Sequence, residues 1–78
     1  MQFDYRKGTM KVRGAELQIE DVRKYLFTSF PYLLKKYQLR TTVKNGKIVF
    51  YFDWKSVFSD VTIQLIIINY ERSGKNNR

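Results

Sequence analysis

The sequence predicts an α+β domain with the order ββαβββ: an antiparallel sheet of about five strands, and one helix kinked near Pro31 lying across one face. Three observations carry this reading. Asn45-Gly46 stands between two alternating runs, the strongest short-range sign of a two-residue hairpin. Ile19, Val22, Leu26, Phe30, Leu33 and Tyr37 recur three or four residues apart, as one stripe of a helix does. Val61, Ile63, Leu65 and Ile67 alternate and are β-branched or aliphatic, which favours a last strand over 61–71. Val57, Val61, Leu65 and Ile68 also fit a helix, and the β-branched content decides for strand.

The first hairpin is expected within Phe3–Gly14, with Gly8-Thr9 as its loop. That register sets Asp4 opposite Arg13 and Arg6 opposite Lys11. The helix follows over Ile19–Ser29. Glu20 and Asp21 lie at its start and Lys35 and Lys36 near its end, in keeping with the macrodipole. Pro31 forbids an unbroken helix, so a kink is expected, or a break with Pro31 at the first position of a second piece. In the NG hairpin, Lys44 faces Lys47, Val43 faces Ile48, Thr41 faces Phe50 and Leu39 faces Phe52. The last three pairs should pack on the helix. The other face would show Arg40, Thr42, Lys44, Lys47, Val49 and Tyr51. Trp54 continues the core phase of the second strand. Residues 1–71 read as one domain and 72–78 as a basic, disordered tail.

The 78 residues hold no cysteine and no histidine. Disulfides, thiolate metal sites and Ser–His or Cys–His catalysis are thereby excluded. The carboxylates do not cluster beyond Glu20-Asp21, and adjacent helical residues diverge by about 100°. Neither an enzyme nor a metal or cofactor is expected. The start, MQFDYRKG, lacks the apolar stretch of a signal peptide, and a cytoplasmic location is expected.

Fifteen Lys and Arg against seven Asp and Glu give a formal charge of +8. So strong a field on so small a body favours an anionic partner. The expected function is non-catalytic nucleic-acid binding, single strands preferred, through Arg6, Lys11, Arg13, Arg40, Lys44 and Lys47, with Tyr51 as a stacking platform. The alternative is a protein-interaction module, an inhibitor or adaptor of the kind mobile elements encode, that meets an acidic protein surface or acts as a homodimer. Ile66, Ile68 and Tyr70, on one face of the expected last strand, would form the dimer contact. A membrane surface is the weakest of the three partners, because the helix's apolar stripe is needed for the core.

Overall fold

The computed structural model describes residues 1–74, with side chains throughout except at Arg40, Thr41 and Phe50. Strands β1 (Gln2–Asp4), β2 (Thr9–Val12) and β3 (Ala15–Gln18) are followed by helices α1 (Ile19–Ser29) and α2 (Pro31–Leu34) and a 3-10 turn, Lys35–Tyr37. Strands β4 (Gln38–Lys44) and β5 (Lys47–Phe52) come next, then helices α3 (Trp54–Ser59) and α4 (Val61–Arg72). The class is α+β, but the strands form two separate antiparallel sheets, β1-β2-β3 and β4-β5.

The first sheet differs from the expected hairpin. Asp4 pairs with Thr9 and Phe3 with Met10, so the loop is Tyr5–Gly8 rather than Gly8-Thr9. The Asp4 carboxylate accepts from the Arg6 and Lys7 amides, at 3.2 and 3.1 Å, and so folds this loop. Gly8 supplies the positive φ (72°) that closes it. The sequence reading missed a second turn. Arg13 and Gly14 both have positive φ, 53° and 85°, the type I′ pattern that Asn45-Gly46 also adopts. Arginine is unusual there, since a Cβ disfavours the left-handed region. This turn brings β3 beside β2, with Lys11 opposite Glu16. The expected Asp4–Arg13 and Arg6–Lys11 pairs do not form.

Helix α1 spans the expected residues. Phe30 breaks it (φ −136°, ψ 47°), and Pro31 starts α2 at its first position. Proline has no amide to donate and cannot follow a helical residue easily, so the chain leaves the helix for one residue and resumes it.

The expected last strand is a helix. Two aspartates explain why. Asp53 caps α3, its carboxylate accepting from the Ser56 amide, and Asp60 caps α4 by accepting from the Thr62 amide. Each satisfies a donor that the helix itself leaves unpaired. Capping and burial of Ile63, Ile67 and Tyr70, four and three residues apart, override the weak strand preference of β-branched residues. The expected tail therefore begins inside α4 at Arg72, and Ser73 and Gly74 close that helix. Residues 75–78 lie outside the described residues.

This helix changes what covers the core. Met10, Val12 and Leu17 from the first sheet meet Val22, Leu26, Leu34, Val57, Phe58, Ile63 and Ile67. Side chains of α3 and α4 occupy the place that the apolar face of β4–β5 was expected to fill. Of that face, Phe52 packs against the core at the base of the hairpin, while nearer the tip Val43 is 71% exposed and Ile48 66%. The expected register holds from Lys44–Lys47 to Arg40–Tyr51. An irregularity at Leu39 then pairs Phe52 with Gln38.

The hairpin is fastened at its base. The Asp53 amide donates to the Tyr37 carbonyl at 3.0 Å. The Tyr37 hydroxyl donates to the Asp60 carboxylate, which Lys36 approaches at 3.2 Å. The hydrogen bond from Tyr37, aided by Lys36 and the Thr62 amide, holds the Asp60 carboxyl below its ordinary range. Hydrogen bonds from Ser56 do the same for Asp53. Asp60 raises both partners in turn, Lys36 and Tyr37.

These directions set a pH window. Depressed carboxyls contribute stability above about pH 4 and lose it as the pH falls through their folded values. Raised Lys36 and Tyr37 contribute below about pH 10 and lose it as the pH rises. Thermal unfolding should therefore show a plateau between about pH 5 and 9. Asp60→Asn keeps a capping oxygen but removes the charge, so it should lower the midpoint on that plateau, by weakening the contacts with Tyr37 and Lys36, and flatten the acid limb by removing the titration. An unchanged acid limb in Asp60→Asn would remove Asp60 from this role.

Candidate nucleic-acid interface

Helix α1 buries Ile19, Val22 and Leu26. Its flank, one step round, carries Glu20, Arg23, Lys24 and Phe27, which are exposed. The spacing of three and four residues sets them in a row along the helix. Opposite this row lies the Tyr5–Gly8 loop. Together they line an open groove of about 520 Å³ that includes Tyr5, Lys7, Arg23, Lys24 and Phe27.

Phe27 lines both that groove and another. Between α1, Pro31 and the hairpin lies a second groove of about 560 Å³, lined by Phe27, Pro31, Gln38, Lys47, Ile48 and Phe52, with Val49. The Phe27 ring is 44% exposed. It meets Phe52 and Trp54 edge to face, with centroids 5.1 and 5.5 Å apart. Edge-to-face packing suits the ring quadrupoles and fixes a ring that would otherwise turn freely at the surface.

Behind Phe27 runs a continuous line of rings. Trp54 packs on Phe58 at 5.7 Å, Phe58 on Phe3 at 5.1 Å, and Phe3 on Tyr5 at 5.8 Å. Cations lie over two of its members. The Arg23 guanidinium sits 4.8 Å from the Trp54 ring centroid and the Lys55 ammonium 5.7 Å from that of Tyr5. Each is within the range where a ring face attracts a cation. The aromatic line thus holds both the rings and the charges of the groove wall in place.

The residues expected from the sequence are divided by the fold. Arg6 lies in the loop at one end of β2 and Arg13 in the turn at the other. Lys11 stands between them, in a concavity with Asp4 and Glu16, where carboxylates offset its charge. These three belong to the three-stranded sheet and its turns, and the hairpin is a separate sheet. Lys44 and Lys47 face one another beside the NG turn and are exposed, as is Tyr51; Arg40 pairs with Tyr51 along the backbone. Of the expected set, Lys47 lines a groove with Phe27. The expected dimer residues are also divided. Tyr70 is buried against Tyr25, with centroids 4.5 Å apart, and burial raises its hydroxyl above the ordinary value. Ile66 and Ile68 are half-buried against the core. On a helix these three do not share a face.

Sequence reasoning missed Tyr5, Lys7, Arg23, Lys24, Phe27, Trp54 and Lys55 as one surface. Its available sign was the Arg23–Phe27 spacing on the flank of the helical stripe. Among the described residues no group of carboxylates could hold a metal ion, and no helix is long and apolar enough to cross a membrane. Compared with protein-family models, curated proteins and solved structures, the chain matches none.

The lone tryptophan reports on this geometry. Arg23→Gln removes the cation above Trp54 while leaving an exposed helical position. The emission of the protein should change in intensity or wavelength, with the far-ultraviolet circular dichroism unaltered. Identical emission spectra would place Trp54 away from Arg23.

Proposed function

We propose that this chain is a non-catalytic nucleic-acid-binding protein that prefers single strands. The observation that carries the reading is Phe27: an exposed, braced ring shared by two grooves whose walls bear Lys7, Arg23, Lys24 and Lys47. A single strand presents phosphates at intervals and free base faces between them. Cations neutralise the first and release counterions, and aromatic rings stack on the second. Duplexes hide their base faces within the stack, so a surface whose central feature is a ring gains more from an unpaired strand. Phosphates lie along Lys7, Arg23 and Lys24, a base stacks on Phe27, and the strand continues past Lys47. Tyr51 and Lys44, exposed on the same strand pair, extend the surface along the hairpin. Recognition on these terms is nearly independent of base sequence, because backbone neutralisation and stacking on a ring act on every base alike.

A labelled oligonucleotide titrated at several salt concentrations tests this. With about four phosphates neutralised, log K should fall with log salt at a slope of about −2.8. Affinity should then drop about fifty-fold between 50 and 200 mM salt. Phe27→Ala should weaken binding by about 1–3 kcal/mol and leave the slope alone. Lys24→Gln should make the slope shallower by about 0.7. Failure to bind at low salt, or a Phe27→Ala protein that binds like the parent, would refute the reading.

A further inference from the structure

The two grooves that meet at Phe27 are similar in size and opposite in chemistry. The first, of about 520 Å³, carries Lys7, Arg23 and Lys24, with Gln18 and Glu20. The second, of about 560 Å³, is walled by Phe27, Pro31, Ile48 and Phe52. Among the described residues that line it, Gln38 and Lys47 are the polar ones. They stand at its two ends. Gln38 pairs with Phe52 at the base of the hairpin, and Lys47 lies beside the turn. The wall between them is apolar, and Pro31, which opens α2, has no amide to donate.

Given the single-strand reading above, on which this rests, we infer that the second groove seats thymidine nucleotides, so that the preferred strand is DNA rather than RNA. The first groove meets phosphates, which DNA and RNA share, and is indifferent to sugar and base. A nucleotide that continues past Phe27 offers a phosphate to Lys47 and lays its base edge and sugar along the apolar wall. Two small groups decide how well it fits. The C5 methyl of thymine, which uracil lacks, gains by contact with Ile48 and Phe52, because apolar surface leaves water on both sides. The 2′-hydroxyl of ribose is both a donor and an acceptor. Against Pro31 and Ile48 it gives up water without a partner in return, which costs free energy. Methyl and hydroxyl therefore act in the same direction, toward thymidine. The result is a preference of a few fold laid over a track that otherwise treats bases alike.

Three labelled oligonucleotides of equal length, titrated with the full chain at one low salt concentration, separate the two groups. Oligodeoxyuridylate differs from oligothymidylate by the methyl group, and oligouridylate differs from oligodeoxyuridylate by the hydroxyl. Oligothymidylate should bind about two- to fourfold tighter than oligodeoxyuridylate. Oligodeoxyuridylate should bind about fivefold tighter than oligouridylate. Ile48→Thr keeps a β-branched residue at an exposed strand position and puts a hydroxyl on the wall. It should draw both ratios toward one. A ratio measured on one protein cancels any general loss of affinity or stability. Equal affinities in either comparison, or ratios that Ile48→Thr leaves unchanged, overturn the inference and leave the single-strand reading standing. Failure of all three oligonucleotides to bind overturns both.

Discussion

The arrangement hangs on Tyr37. Its carbonyl accepts from Asp53 and its hydroxyl donates to Asp60. The two aspartates cap the two helices that follow the hairpin. One residue at the end of the α1–α2 segment therefore fixes the base of β4–β5 and the starts of α3 and α4. The carboxylates gain from this arrangement twice, once from the helix amides and once from Tyr37 or Ser56. Without it α3 would not hold Trp54 under Arg23 and beside Phe27.

The same constraint decides which apolar residues are covered. A chain of 78 residues has little interior to share out. Once α3 and α4 lie over α1 and the first sheet, that interior is full of Val57, Phe58, Ile63 and Ile67. Val43 and Ile48 of β4–β5, and Val61 and Leu65 of α4, stay outside. The surface is consequently sorted. Cations and rings gather along α1 and the hairpin, where a polyanion is favoured. On the outer face of α4 Val61 and Leu65 are exposed. Both features arise from one competition for a small core.

Local signals in the sequence were read reliably where one residue type dominates the local energetics. Asn45-Gly46 gave its hairpin and the register nearest the turn. The apolar stripe gave α1 to the residue, and Pro31 gave the break. Long-range competition was not legible. Val61–Tyr70 is compatible with a strand on its alternation and with a helix on its spacing. The choice rested on Asp60 and on which surface would be buried, and neither shows in a propensity. Arg13-Gly14 concealed a turn because arginine seldom takes positive φ. The interface suffered most from this. Grouping Arg6, Lys11 and Arg13 with the hairpin assumed one sheet. Phe27 and Trp54 gained their roles only when α3 folded against α1.

The central claim is that a single strand lies across Phe27 between the two grooves. Amide chemical-shift mapping of the ¹⁵N-labelled protein, titrated with an unstructured oligonucleotide at low salt, tests it most directly. The account predicts a continuous band of shifted resonances through Tyr5–Gly8, Arg23–Phe27, Lys47–Val49 and the Trp54 indole, with the outer face of α4 unmoved. Shifts confined to Lys11, Arg13 and the outer face of the first sheet, or an absence of shifts altogether, would contradict it.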